Sequence, residues 1–363
     1  MSLLDQSLPY VRAISPYQPG KPITQLSREL GIPAERIVKL ASNENPLGMS
    51  PKAKAALQAA VSTLERYPDD FDLKAAVAAH TGFGAERIVL GNGSNDLLDI
   101  AARVFLAPGR STIFSQHAFA VYPLASLTAG AELIAVPARD FGHDIEAMLA
   151  AVRPDTRLVW IANPNNPTGT FLAHARIGAF LRALPGDVVV VIDEAYNEYL
   201  PAGVEGDSKD YLGEFPNLVI TRTFSKIYGL AGLRVGYALT SAAIADLMNR
   251  VRQPFNCNNL ALAAAAAALG DDEFVARSQR VNRAGMEQLT AGFRRLGFEF
   301  IPSYGNFVTF RAGDAAAVNE KLLRQGVIVR PIAGYGMPEW LRVTIGAEAE
   351  NRRFLQALES ARG

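Results

Sequence analysis

The chain has 363 residues, 49% hydrophobic and 20% charged, which suits two packed domains of an ordinary soluble protein. Lys+Arg and Asp+Glu both total 36, so no basic surplus points to nucleic acid or an anionic membrane as a partner. The single cysteine, Cys257, excludes an intrachain disulfide and a cysteine zinc cluster, and reads as a small buried hydrophobe.

The opening residues, Met1 to Gln6, have no basic stretch and no long apolar run, so no signal peptide is expected and the cytoplasm is the economical location. Pro9, Pro16, Pro19, Gly20 and Pro22 rule out a long regular element there and suggest an arm or lid. Continuous apolar runs follow at 87–90, 157–161 and 187–192, the pattern of strands buried on both faces. Helix-period stretches at 96–105, 144–152 and 173–184 alternate with them, which predicts a parallel sheet between helices. Strands at 218–223 and 235–239 would complete it. The alanine-rich run 260–269 is too short to span a bilayer and reads as a packed helix. Beyond it the texture changes. A helix over 271–296 precedes strand candidates at 298–301, 306–310, 327–330 and 341–345, and a last helix runs from 348 to the end. The expected division is 1–43 as arm and part of a small domain, 44–245 as a large domain, and 246–363 as the small domain.

Four segments carry chemistry. Gly91-Asn-Gly-Ser-Asn-Asp96 joins a buried strand to a helix, and amides at a helix start with glycines nearby make an anion site. Asp96 stands where a dinucleotide fingerprint needs its third glycine, so that motif fails. Asn163-Pro-Asn-Asn-Pro-Thr-Gly169 follows the strand at 157–161 and alone would pass for a plain loop. Val189-Val-Val-Ile-Asp-Glu-Ala-Tyr196 puts Asp193 at the end of a wholly apolar strand, where a carboxylate is costly without a cationic partner. Thr221-Arg-Thr-Phe-Ser-Lys226 with Arg234 supplies two hydroxyls, a guanidinium fork suited to phosphate, and a lysine able to react with an aldehyde. The four histidines, His80, His117, His143 and His174, show no metal-ligand spacing.

Taken in order, these segments resemble the fold-type I enzymes that use pyridoxal 5'-phosphate, the large aminotransferase superfamily, over nearly the whole chain. The resemblance implies an α/β fold, with a mostly parallel seven-stranded sheet between helices and a smaller α/β domain. It implies that Lys226 binds the cofactor covalently and shuttles the proton. Asp193 would pair with the ring nitrogen, and Asn166 and Tyr196 would bond the phenolic oxygen. Gly93, Ser94, Asn95, Thr223, Ser225 and Arg234 would hold the phosphate. The ring-stacking aromatic would be Phe119, with Tyr122 as the alternative, and His117 is left as structural or pocket-lining.

Three further segments narrow the family. Ser15-Pro-Tyr-Gln-Pro-Gly-Lys-Pro22, Ala41-Ser-Asn-Glu-Asn-Pro46 with Glu65-Arg-Tyr-Pro68, and Val327-Ile-Val-Arg330 with Leu341-Arg-Val-Thr-Ile-Gly346 are similar to the histidinol-phosphate aminotransferase family. That resemblance implies a homodimer in which Tyr67 reaches the partner's cofactor phosphate. It also implies a substrate site of Tyr17, Asn43, Arg330 and Arg342 that accepts either a carboxylate or a phosphate. Relatives acting on phenylalanine or tyrosine keep similar arginines, and Tyr335 and Trp340 in the segment after Arg330 would suit an aromatic substrate. Threonine-phosphate decarboxylase shares the cofactor set. Sensor domains of transcription regulators share the fold, but the few residues before the arm and the zero net charge argue against that role.

Overall fold

A computed structural model describes residues 3–204 and 206–362; Met1, Ser2, Glu205 and Gly363 lie outside the described residues. The first strand, β1 (Val38–Lys39), is only two residues long. The main sheet follows as β2 (Ile88–Gly91), β3 (Ser111–Ser115), β4 (Glu132–Val136), β5 (Thr156–Ala162), β6 (Val189–Asp193), β7 (Leu218–Thr223) and β8 (Gly236–Thr240). Their order is β2-β8-β7-β6-β5-β3-β4, parallel throughout except for β8, which runs antiparallel to β7 and β2. This is the expected seven-stranded, mostly parallel sheet.

Successive residues of a strand face opposite sides, and both sides here are dry. Val190 and Ile192 of β6 join Val159 and Ile161 of β5 in one core, beneath the helices Pro51–Ala60, Phe71–Thr81, His174–Ala183 and Asn259–Leu269. Val189 and Val191 join Leu158 and Trp160 in the other, beneath Ser94–Phe105, Val121–Thr128 and Ala242–Val251. The alanine-rich helix thus packs in the core as its composition implies.

Apolar runs indicated five of the seven strands; β3 and β4 escaped for physical reasons. Ser111, Thr112 and Ser115 make β3 look polar, but Ser111 Oγ pairs with Thr156 Oγ1 at 2.9 Å and Thr112 Oγ1 donates to the Leu158 carbonyl at 2.9 Å. The edge strand β4 is largely exposed or half-buried and so lacks a continuous buried signature.

A second body contains β9 (Phe300–Ile301), β10 (Phe307–Arg311), β11 (Val327–Ile328), β12 (Arg330–Pro331) and β13 (Trp340–Thr344). Four of these form an antiparallel sheet ordered β12-β13-β10-β9, while β11 pairs in parallel with β1, tying residues 38–39 to this body. Three helices, Asp272–Leu296, Ala315–Arg324 and Glu348–Ala361, cover it. Between the short helices Pro9–Arg12 and Ile23–Leu30, the proline-containing segment has no regular structure. Among the described residues, no helix is long and apolar enough to cross a membrane.

One buried ionic cluster fixes the ends of the central strands. Arg222 of β7 donates from Nε and Nη2 to Glu194 Oε2 at 2.9 and 2.7 Å, and from Nη2 to Asp207 Oδ1 at 2.7 Å. Glu194 directly follows Asp193, so the clamp holds the strand end that presents the latter. Arg222→Ala leaves the Glu194 carboxylate buried without its cation, which costs about 3–5 kcal/mol. Urea unfolding measures this, and an unchanged free energy would contradict the clamp.

Candidate active site

Ligands of open α/β sheets lie beyond the carboxyl ends of the strands. A cavity of about 290 Å³ opens there, between the main sheet and the second body. Fourteen of the sixteen expected site residues line it: Tyr17, Asn43, Ser94, Asn95, Phe119, Asn166, Asp193, Tyr196, Thr223, Ser225, Lys226, Arg234, Arg330 and Arg342. Gly93 sits just behind this lining. Tyr67 does not reach it; the ring is 80% exposed and stacks on Phe255 at 4.6 Å.

One wall is a cup of donors. Helix Ser94–Phe105 begins at the cavity, and the first amides of any helix lack intrahelical partners. Gly93 has φ +81°, and a Cβ there would strike the Arg234 guanidinium. Gly236 is equally constrained, since its Cβ would lie 2.8 Å from the Ser94 nitrogen. Arg234, itself left-handed at φ 58°, donates from Nη1 to Ser225 Oγ at 3.3 Å, and Thr223 Oγ1 accepts from the Ser225 amide at 3.1 Å. The cup therefore converges hydroxyls, amides and a fork on one small volume, as an anion requires.

Asp193 lies at the end of β6, in register with Thr221 of β7. Its hydrogen-bond donors are neutral: Tyr122 Oη at 3.0 Å, Thr221 Oγ1 at 3.2 Å and the Ala195 amide. Burial pushes its pKa up to about 6 despite those donors. Lys226 Nζ donates to the Ser42 carbonyl at 3.1 Å and lies 5.7 Å from the Tyr196 ring centroid. Burial, and then the cations Arg342 and Arg234, bring its pKa down to about 8 against the pull of Glu44 and Asp193.

Asn43, strained at φ 55°, is held from every side. Its amide nitrogen donates to Thr344 Oγ1 at 2.9 Å, Thr344 Oγ1 donates to its Oδ1 at 3.1 Å, and Asn306 Nδ2 donates to its carbonyl at 3.0 Å. Its Nδ2 donates to Tyr196 Oη at 2.8 Å, so Asn43 orients Tyr196 and leaves that hydroxyl's own proton free to donate. Arg342 Nη1 donates to Asn166 Oδ1 at 2.5 Å, which leaves the Asn166 amide group as the end available to donate.

The two substrate-site arginines stand directly opposite each other across β12 and β13. Arg342 is buried with its Nε lacking a partner, while Nη2 donates to the Ala41 carbonyl at 2.7 Å. Burial lowers its pKa, and Arg330 contributes in the same direction. Arg330 Nη2 donates to Tyr17 Oη at 3.0 Å and to the Gln18 carbonyl at 2.8 Å, so the N-terminal segment closes this end.

Other residues fall differently from expectation. His117 lies off the cavity and donates from Nδ1 to the Tyr335 carbonyl at 2.7 Å, fastening the segment that brings Tyr335 to the lining. Trp340 packs with Ile301, Ile332 and Met337 and edge-on to Phe141, away from the cavity. The Ser42 carbonyl and Thr221 were not expected, because backbone acceptors and cross-strand partners leave no motif.

This donor set fits pyridoxal phosphate. It offers an anion cup, a lysine with a lowered pKa, and a buried carboxylate whose neutral partners leave a cationic N–H to be supplied by a ligand. A mostly parallel seven-stranded sheet with that site at its strand ends is the fold-type I architecture of pyridoxal-phosphate-dependent transferases. Residues 35–358 match the family of class I and II aminotransferases. Histidinol-phosphate aminotransferase 1 of Dechloromonas aromatica is 70% identical over 99% of this chain and 100% of its own length. Histidinol-phosphate aminotransferase 2 of Nitrosospira multiformis is 59% identical over 99% of this chain and 93% of its own. The crystal structure of histidinol-phosphate aminotransferase from Sinorhizobium meliloti in complex with pyridoxal-5'-phosphate has a TM-score of 0.90 at 29% identity, covering 98% and 97% of the two chains. The chain belongs to the histidinol-phosphate aminotransferase family.

The lowered Lys226 pKa has a kinetic signature. Covalent capture of added pyridoxal phosphate by cofactor-free protein, followed by visible absorbance, should rise with pH through a midpoint at about 8. A midpoint in the ordinary lysine range, or capture that survives Lys226→Ala, would contradict the assignment.

Proposed function

We propose that the chain transfers the amino group of L-histidinol phosphate to 2-oxoglutarate, giving imidazole-acetol phosphate and L-glutamate, reversibly and with pyridoxal 5'-phosphate as cofactor. The observation that carries this reading is the Arg330–Arg342 pair. Like charges directly opposed across antiparallel strands are unfavourable, and a buried guanidinium with an unpartnered Nε is costly. A dianionic phosphate relieves both, and so does the carboxylate of glutamate. Planar forks accept either group, which is what two alternating substrates require. The Arg342 guanidinium also sits 5.3 Å from the Phe307 ring centroid, which limits its reorientation between them.

When bound, the cofactor supplies the electron sink and the carbon that carries the amino group between substrates. The chain's residues do the rest. In this reading Asp193 would pair with the ring nitrogen, Tyr196 and the Asn166 amide would donate to the phenolic oxygen, and Phe119 would flank the ring. The cup of Gly93, Ser94, Asn95, Thr223, Ser225 and Arg234 would hold the phosphate. Lys226 Nζ would hold the cofactor, and as a free amine beside bound substrate it would take and return the proton at the substrate Cα. Its lowered pKa suits that exchange near neutral pH. Tyr17, hydrogen-bonded to Arg330 Nη2, would border the anion end.

The exposed Tyr67–Phe255 stack, with exposed Val61, Leu64 and Phe71 nearby in sequence, supports a homodimer in which Tyr67 completes the partner's phosphate cup. Both substrates are small polar anions, and the proposed location is the cytoplasm.

Steady-state kinetics with 2-oxoglutarate test the substrate. Histidinol phosphate should exceed phenylalanine in kcat/KM by at least about a hundredfold, given roughly 1.5–3 kcal/mol for each charged hydrogen bond to the phosphate. Arg330→Ala should raise KM for histidinol phosphate by about tenfold or more while altering kcat less. A preference for phenylalanine would make the enzyme an aromatic aminotransferase, and carbon dioxide release without an oxo acid would make it a lyase.

A further inference from the structure

We infer that Tyr122 is a positioning residue, whose hydroxyl fixes the Asp193 carboxylate in the orientation and charge state that a cationic ring nitrogen needs. The inference rests on the reading that Asp193 meets that nitrogen. Tyr122 is wholly buried in helix Val121–Thr128, and its Oη donates to Asp193 Oδ2 at 3.0 Å. Thr221 Oγ1 takes Oδ1 at 3.2 Å, so each carboxylate oxygen has one neutral side-chain donor. The phenol is held before any ligand arrives. Its ring lies parallel to Trp160 at 5.2 Å and 3°, and Phe119 meets it edge-on at 5.8 Å and 81°. Ser126 Oγ donates to the Tyr122 carbonyl at 2.7 Å and pins the turn that carries it.

With its hydroxyl committed to Asp193, Tyr122 takes a different task from the stacking aromatic, which in this reading is Phe119. Burial and the neighbouring carboxylate keep the Tyr122 phenol protonated well above its ordinary range, so it remains a donor at every working pH. The other titratable groups facing Asp193 are Glu194, committed to Arg222, Tyr196 in the following turn, and Lys226 beyond β7; Tyr335 faces Tyr122 from the second body. Burial already raises the Asp193 pKa to about 6, and the two hydroxyls oppose that rise. Without the Tyr122 hydroxyl the carboxyl would hold its proton into the neutral range, where it pairs poorly with a cation.

Pyridoxamine 5'-phosphate binds without a covalent link to Lys226, so its affinity separates Asp193 from the lysine's own titration. Its Kd should be measured on cofactor-free wild type, Tyr122→Phe and Asp193→Asn, by tryptophan fluorescence, between roughly pH 6 and 8.5. The ratio of Kd for Tyr122→Phe to that of wild type should be small at the alkaline end and grow to about tenfold at the acid end. A ratio constant across pH means a merely structural role and overturns the inference. Tyr122→Phe keeps the stack on Trp160, and 3-fluorotyrosine at the same position, a stronger donor, should shift the acid-end ratio below one. No opposite shift would also overturn it. If Asp193→Asn binds the probe as tightly as wild type, the reading of Asp193 itself fails, a result distinct from a flat Tyr122→Phe ratio.

Discussion

The buried carboxylate of Asp193 is the constraint around which the rest of the site is arranged. A strand as apolar as β6 is stable only in a dry interior, and carrying it one residue further leaves a charge there. Neutral donors from Tyr122 and Thr221 soften the cost but do not remove it, as the raised pKa shows. The next residue, Glu194, is neutralised by Arg222, so the two acidic side chains have opposite fates. One is paired within the chain and holds the strand end; the other has only neutral donors and faces the cavity.

The second body meets the main sheet through polar contacts at the cavity and aromatic ones beside it. Asn43 Nδ2 donates to Tyr196 Oη, Arg342 donates to Asn166, and Thr309 Oγ1 bonds the Pro167 carbonyl, while Phe307 meets Tyr196 and Trp340 meets Phe141 edge-on. The same residues that join the two bodies therefore orient the groups at the cavity. In the proposed reading, an anion held between Arg330 and Arg342 would lie against β12 and β13, one hydrogen bond from Asn166 on the main-sheet side of the cavity.

The main-sheet strands that present the chemistry were legible because parallel strands buried on both faces leave long apolar runs with functional residues at their ends. Asp193, Lys226 and the Ser94 turn were readable on that basis. The hydroxyl-rich β3 and the exposed edge β4 were not, since their partners lie tens of residues away. The same limit hid the Tyr122–Asp193 bond, which spans 71 residues, and the cross-strand opposition of Arg330 and Arg342. Asn43 lines the cavity as its motif implies, but its left-handed backbone and its bonds to Thr344 and Tyr196 leave no trace in the sequence. Aromatic content after Arg330 suggested an aromatic site, yet only Tyr335 of that pair reaches the lining, because Trp340 is needed by a local core.

If Asp193 is kept at the expense of stability, the cofactor-free protein must carry the penalty. Its folded pKa of about 6 lies above the ordinary carboxylate value of 3.8, so this group favours folding at low pH and loses that contribution as pH rises through about 6. Urea unfolding of cofactor-free wild type and Asp193→Asn, just above neutral pH, with and without added pyridoxal phosphate, measures this directly. The variant without cofactor should be as stable as wild type or more so, by up to about 2–3 kcal/mol, and should lose most of the stabilisation that cofactor gives the wild type. A variant that is less stable without cofactor yet keeps the full cofactor increment would show that Asp193 is a structural residue, and would contradict the account.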